Sequence, residues 1–322
     1  MGTGATCSRR ASKLVEINER RIEGKKQMSR WMKILSISVL VILLVAGLVI
    51  GGISAHIGDQ LTSPERETLT YTPKSLGLKY ENVTIQSEEE YDLYGWWIPH
   101  PTPRATIVFA HGYGKNREQE DLPLKELIPE FHEQGYQFLT FDFRASGISE
   151  GDRVTVGAKE QSDLQAAIKY AQGRSEGPIV LYGISMGAAT ALSTADDVEV
   201  AAVIADSPFS DLRNYLETNL PVWSDLPNVP FTPVIMTVTP WFTGLDADIV
   251  SPIHDIKSID APILLIHSSG DDAIPVSESE ELAAAQEQVE LWVTDNDGHV
   301  GSYRSFQTEY RQQIFDFLER SL

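Results

Sequence analysis

From residue 81 onward two hydrophobic rhythms alternate along the chain. Continuous apolar, β-branched or aromatic runs occur at "ENVTIQS" (81–87), "YDLYGWWIP" (91–99), "ATIVFAHG" (105–112), "YQFLTFDFR" (136–144), "PIVLYGIS" (178–185), "VAAVIADSP" (200–208), "APILLIHSS" (261–269) and "VELWVTDN" (289–296). From the third run on, segments with helical spacing separate most of them: "LPLKELIPEFHEQG", "GAKEQSDLQAAIKYAQG", "MGAATALSTA" and "ESEELAAAQEQ", with "YRSFQTEYRQQIFDFLERSL" closing the chain. This alternation predicts an α/β architecture: a mostly parallel eight-stranded sheet, helices on both faces, and the first two strands as an edge hairpin. Between residues 209 and 260 the rhythm breaks into a stretch rich in Pro and aromatics, "NLPVWSDLPNVPFTPVIMTVTPWFTG" (219–244). A connection of that length inside a compact domain is usually functional. It predicts a cap inserted after strand 6 over the sheet's carboxyl edge. Trp223, Phe231, Trp241 and Phe242 then either line a pocket or form the cap's own small core.

A third pattern precedes the alternation. Ile34 to Ala55 carries no charge and, apart from serine hydroxyls, no strongly polar side chain, enough residues for a helix to cross a bilayer. The 33 residues ahead of it are too many for the usual start of a cleaved signal peptide, which favours a retained anchor. The expected organisation is a basic cytoplasmic tail (1–33), a transmembrane helix (34–57), a polar linker (58–75) and the domain built on the sheet (76–322), with the cap insertion at about 209–260. Residues 1–33 hold nine Lys/Arg against three Glu, so the tail is expected inside and the remaining domain outside the cell membrane. Trp31 suits the inner interface.

Charge narrows the partners. From Asp59 on, 17 Lys/Arg face 43 Asp/Glu, a formal charge of −26. Such a surface repels polynucleotides, so no nucleic-acid partner is expected. The single cysteine, Cys7, excludes an intramolecular disulfide. The opening "MGTGAT" fits the loose N-myristoylation pattern, a match that common Met-Gly starts produce by coincidence. The carboxylates and histidines lack metal-ligand spacing, and neither metal nor cofactor is expected.

Open parallel sheets bind ligands beyond the carboxyl ends of their strands. At one such end stands "GISMG" (183–187), with Ser185 between Gly183 and Gly187 where strand gives way to helix. A Gly-x-Ser-x-Gly turn lifts a serine hydroxyl clear of the backbone at a helix start, and it leaves the N–H of Met186 for a developing oxyanion. A serine nucleophile needs a general base and a group to orient it. With this elbow the chain order is Ser, then Asp/Glu, then His. "HSSGDDAIP" offers Asp271 and Asp272, and "TDNDGHVG" offers His299, alone among seven histidines in a loop directly after a strand near the chain's end.

With these motifs the chain from about Leu76 to Leu322 resembles the serine α/β-hydrolases, in particular single-pass, membrane-anchored bacterial esterases and their lysophospholipase-like relatives. "HGYG" (111–114) is similar to the family's oxyanion loop, "DFRASGISEG" (142–151) to its Asp-x-Arg-Gly-x-Gly-x-Ser segment, and "HSSGDDAIP" (267–275) to its acid loop. The resemblance implies the α/β-hydrolase fold, Asp271 as the acid with Asp272 as fallback, and Tyr113 beside Met186 in the oxyanion hole. Asp206 holds a position where some relatives carry the acid instead. Two small residues depart from the family pattern, Ala145 and Ser268, each where glycine is usual. The implied activity is hydrolysis of carboxylic esters with acyl or lipid-like groups through a Ser185–His299–Asp271 triad. The alternatives are a peptidase or amidase on the same fold and a non-catalytic membrane-anchored binding protein.

Overall fold

The computed structural model describes residues 4–295 and 298–322, with side chains at Glu16 and from residue 18 onward. The start of the acylation pattern and the side chain of Cys7 lie outside these. The chain divides into two units, 1–53 and Ser54–Leu322. The first is the body of one long helix, α1 (Gly4–Thr62), whose apolar side chains from Ile34 to Ile53 are exposed. It is the one helix among the described residues long and apolar enough to cross a membrane, by length and composition.

The second unit holds one eight-stranded sheet. In chain order its elements are β1 (Glu81–Gln86), β2 (Asp92–Ile98), β3 (Ala105–Ala110), α2 (Leu124–Glu133), β4 (Tyr136–Phe141), α3 (Glu160–Arg174), β5 (Ile179–Ile184), α4 (Met186–Ala195) and β6 (Ala202–Asp206). Then follow α5 (Leu212–Ser224), α6 (Asn228–Val238), α7 (Pro240–Thr243), α8 (Pro252–Asp255), β7 (Ile263–Ser268), α9 (Ser277–Ala285), β8 (Val289–Thr294), α10 (Ser302–Ser305) and α11 (Gln307–Ser321). The strand order is β1-β2-β4-β3-β5-β6-β7-β8. β2 runs antiparallel to both neighbours, making β1–β2 the edge hairpin, and all later pairs are parallel.

The apolar runs are continuous because the central strands are covered on both sides. In β5, Ile179 and Leu181 join a core with α3, α4 and α9, while Val180, Tyr182 and Ile184 join another with α2 and α11. Two covered faces leave the strands' carboxyl ends as the free edge where loops meet. The 209–260 insertion supplies α5 to α8 between β6 and β7, and it builds a third, smaller core around Leu212, Tyr215, Leu216 and Ile235.

Candidate active site

β5 ends at Ile184 and α4 begins at Met186, so Ser185 alone turns the chain from strand to helix. Its backbone sits at φ 55° and ψ −118°, a costly conformation for an L-residue. Close packing holds it there. A Cβ on Gly183 would lie 2.3 Å from the Gly187 carbonyl oxygen, and one on Gly187 would lie 2.1 Å from that of Ala110. Both positions admit glycine only. The Ser185 N–H donates to the Asp206 carbonyl at 2.8 Å, fastening the bend to the end of β6.

Two loops bring polar side chains to this bend. After β7, Asp271 is pinned through Oδ1, which accepts the N–H groups of Ala273 (3.0 Å) and Ile274 (2.8 Å). After β8, His299 places Nδ1 2.7 Å from Asp271 Oδ2 and Nε2 2.8 Å from Ser185 Oγ. A carboxylate only accepts, so Nδ1 carries the proton. Nε2 is then the acceptor, and the Ser185 hydroxyl donates to it. The structure thus brings Ser185, His299 and Asp271 into one hydrogen-bonded chain.

Burial favours the neutral form of the Asp271 carboxyl, yet it lies well below the ordinary carboxylate range. Hydrogen bonds from His267, His299 and the Ile274 N–H outweigh desolvation. His267, fully buried, stands behind it. Its Nε2–H donates to the Ile274 carbonyl at 2.9 Å and passes 3.4 Å from Asp271 Oδ2, while its Nδ1 accepts from the Ser279 hydroxyl at 2.7 Å.

The "HGYG" loop forms the opposite side. His111 is buried and its pKa falls, chiefly through desolvation, so it is neutral: Nδ1–H donates to the Gly112 carbonyl and Nε2 accepts the Phe143 N–H. Gly112 N–H donates to Gln119 Oε1. The next N–H, of Tyr113, and the N–H of Met186 have no hydrogen-bond partner among the described residues. The "DFRASG" segment supports the loop from below, where the buried Asp142 carboxylate takes the Arg117 guanidinium at 2.6 and 3.0 Å and the N–H groups of Arg117 and Ile148.

Above Ser185 lies a cleft with about 740 Å³ of empty space, solvent at its mouth included. Apolar side chains dominate its wall: Tyr113, Phe209, Leu216, Leu220, Trp223 and Ile235 stand with Ser185 and Met186. Trp223 packs edge-on to Tyr113 at 5.9 Å, and its Nε1–H donates to the Tyr215 hydroxyl. No carboxylate or ammonium lines the cleft among the described residues.

Residues 101–253 match a family model described as serine aminopeptidase, S33. The Bacillus subtilis protein YqkD is 32% identical over 244 residues, covering 73% of this chain and 78% of its own length. Esterase Pf2001 of Pyrococcus furiosus is 31% identical and superposes with a TM-score of 0.68 over 81% of this chain and 98% of the esterase. The chain is an α/β-hydrolase. A more distant relative is the lysophosphatidylserine lipase ABHD12 of Macaca fascicularis, 24% identical over 187 residues, 53% of this chain and 42% of that protein.

Within this α/β-hydrolase the remaining candidates separate. Asp206 is buried, accepts from Tyr310 and Ser207, and has its pKa raised by desolvation; it makes no hydrogen bond to His299. Asp272 is exposed, one residue beyond the carboxylate that His299 reaches. Of the four aromatics expected from the sequence as candidate lining, Trp223 lines the cleft, beside Phe209 and Tyr215 of the same insertion. Phe231 packs on the insertion's core, and Trp241 and Phe242 are exposed. Ala145 adopts φ 54°, a left-handed conformation that favours glycine.

The segment 58–75, expected as a polar linker, is helical to Thr62 and bonded to the hydrolase domain beyond. Gly58, Leu61 and Thr62 line the cleft, the Leu61 carbonyl accepts from the Tyr113 hydroxyl, and that of Thr62 accepts from the Val154 N–H. Further on, Arg66 donates to the Ser149 and Gly151 carbonyls, and Glu118 accepts the N–H groups of Thr70 and Tyr71. One signal pointed to this. Ser54, Gly58 and Thr62, all buried, repeat every four residues past the apolar span, a helical face where a linker pattern has none.

Proposed function

We propose that this hydrolase cleaves carboxylic esters with an apolar acyl group, using Ser185 as nucleophile, His299 as general base and Asp271 as the group that orients and stabilises the imidazole. The observation that carries this reading is the position of His299, which bridges Ser185 and Asp271 at the floor of an apolar cleft. As Ser185 Oγ attacks the acyl carbon, its proton passes to His299 Nε2, and Asp271 faces the resulting imidazolium. The carbonyl oxygen becomes an oxyanion held by the N–H groups of Tyr113 and Met186. By analogy with measured losses each such donor contributes about 3–4 kcal/mol. His299 returns the proton to the leaving alcohol, and a water activated by the same nitrogen resolves the acyl-enzyme.

The family model's aminopeptidase description supports a second reading on the same machinery. A free amino terminus needs a carboxylate to receive it, and none lines this cleft, which favours an uncharged acyl chain. The lipase among the relatives and the long apolar helix favour a lipid or lysolipid ester, with the chain anchored in the membrane, its basic end cytoplasmic and the hydrolase domain outside. The test is labelling with an active-site fluorophosphonate, then hydrolysis of p-nitrophenyl esters of graded chain length. Ser185→Ala should abolish labelling and reduce kcat by at least about 10⁴-fold. Labelling that persists in Ser185→Ala, or esters left uncut while amides are cleaved, would overturn the proposal.

A further inference from the structure

Large exposed apolar side chains outside α1 are concentrated in one region. Of the nine among the described residues, Val222, Trp223, Val229, Trp241, Phe242 and Ile249 all belong to the insertion. Trp241 is the most exposed at 81%, and Phe242 beside it is 43% exposed. Soluble surfaces seldom leave such side chains adjacent without a partner.

Covalent reach says what the partner is. The apolar stretch ends at Ala55, and Gly58 follows three residues later. Three residues span at most about 10 Å even when fully extended. Gly58 abuts the residue preceding α7 so closely that a Cβ on it would lie 2.1 Å from Thr239 Oγ1. Pro240 lines the cleft together with Gly58, and Trp241 and Phe242 are the next two residues. If residues 34–55 occupy a bilayer, Thr239 is held within that reach of its hydrocarbon edge. The headgroup layer beyond that edge is about 5–7 Å deep, and tryptophan concentrates there.

We propose that Trp241 and Phe242 seat in the interfacial layer of the bilayer as a second membrane contact, so that the half-buried cleft edge at Leu61 and Pro240 lies toward lipid. This rests on the anchor reading of α1. The contact is apolar rather than electrostatic, since the charges beside Pro240 and Gly244 balance, Asp246 and Asp248 against Lys159 and Arg213, the last paired to Asp248, and anionic lipid should not strengthen it.

The test uses the full chain in phosphatidylcholine vesicles, in a Cys7→Ser background, with an environment-sensitive nitrobenzoxadiazole dye at one new cysteine. Trp241→Cys is compared with Leu44→Cys in the apolar span and with Lys169→Cys on the exposed side of α3, using lipids with a nitroxide quencher near the headgroup for positions 241 and 169 and lipids with one deep in the acyl chain for position 44, about 15 Å from the headgroups. Quenching at 241 at least threefold above that at 169, unchanged by anionic lipid, supports the contact. Equal quenching at 241 and 169 with strong quenching at 44 overturns it and leaves the anchor standing. No quenching at 44 removes the anchor and the contact with it. Concentration-dependent self-quenching at 241 in detergent would assign the patch to a second copy of the chain and overturn the lipid contact. None of these readings depends on catalysis.

Discussion

At the sheet's carboxyl edge, each polar atom of the Ser185–His299–Asp271 chain has a fixed partner, and each partner is fixed in turn. A few ångströms above, the cleft wall is built from Leu61, Leu216, Leu220, Trp223 and Ile235, which meet mainly through carbon. Directional bonds tolerate little displacement, whereas dispersion contacts give way gradually. Under the proposed function the lower region therefore sets whether reaction occurs, and the upper one sets what reacts. Substitutions should act as switches below and as graded selectors above.

The largest effect belongs to the lower region. Asp271→Asn keeps the shape but presents an amide N–H toward His299 Nδ1, selecting the tautomer whose Nε2 cannot accept the serine proton. We expect kcat to fall about 10⁴-fold with little change in KM. Asp206→Asn, at the end of the strand beside the one that leads into the Asp271 loop and bonded to Tyr310, should stay within about tenfold of wild type. Comparable losses in both, measured on one short ester, would erase the distinction between acid and scaffold.

Graded effects belong above. Leu61→Trp fills the cleft from the α1 side and should lower kcat/KM for a dodecanoyl relative to a butanoyl ester by about tenfold, the scale of a few methylenes excluded from an apolar pocket. Trp223→Ala opens the wall beside Tyr113 and should move the same ratio upward. A profile indifferent to both would mean the acyl chain lies elsewhere.

This contrast also explains what the sequence made legible. Ser185, His299 and the Asp271–Asp272 pair stand out because sharp turns at strand ends demand Gly, Ser and Asp at fixed spacing, and only a handful of residues meet that demand. The sheet was legible for a related reason, since strands buried on both faces carry continuous apolar runs. The cleft wall was not, because a leucine facing a ligand and one facing a core look alike in a sequence. Trp241 and Phe242 were thus grouped with Trp223, although only Trp223 lines the cleft. Gly58 to Thr62 were hidden by the charges around them, Asp59, Glu65, Arg66 and Glu67, which read as solvated linker while the helix's small-residue face packs inward.

Two carboxylates at the same edge should respond to pH in opposite senses. Asp206 binds its proton more tightly when folded, because burial raises its pKa. Its contribution is full below the unfolded value of about 4 and is lost as pH rises through the folded one. Asp271 is depressed, so its contribution is present above about 4 and lost as pH falls toward its folded value. Apparent Tm of the full chain in detergent, followed from pH 2 to 7, should show Asp206→Asn gaining on wild type as pH rises above about 4, and Asp271→Asn losing ground as pH rises from 2 to about 4. Parallel curves would break the assignment of burial to one and hydrogen bonding to the other.

The smallest effect sits in the support beneath the oxyanion loop. Ala145 holds φ 54° while its N–H donates to the Glu150 carbonyl at 2.8 Å. The left-handed conformation costs an L-residue about 1–2 kcal/mol, and glycine, free of that cost, loses about 0.5–1 kcal/mol more chain entropy on folding. The difference favours Ala145→Gly by up to about 1 kcal/mol, less the contacts of one buried methyl group. A rise in apparent Tm with kcat/KM unchanged would show that the turn stores strain without using it. A fall would show that the methyl's packing outweighs the strain, and a change in kcat at constant KM would tie this turn to the oxyanion loop through Asp142 and Arg117.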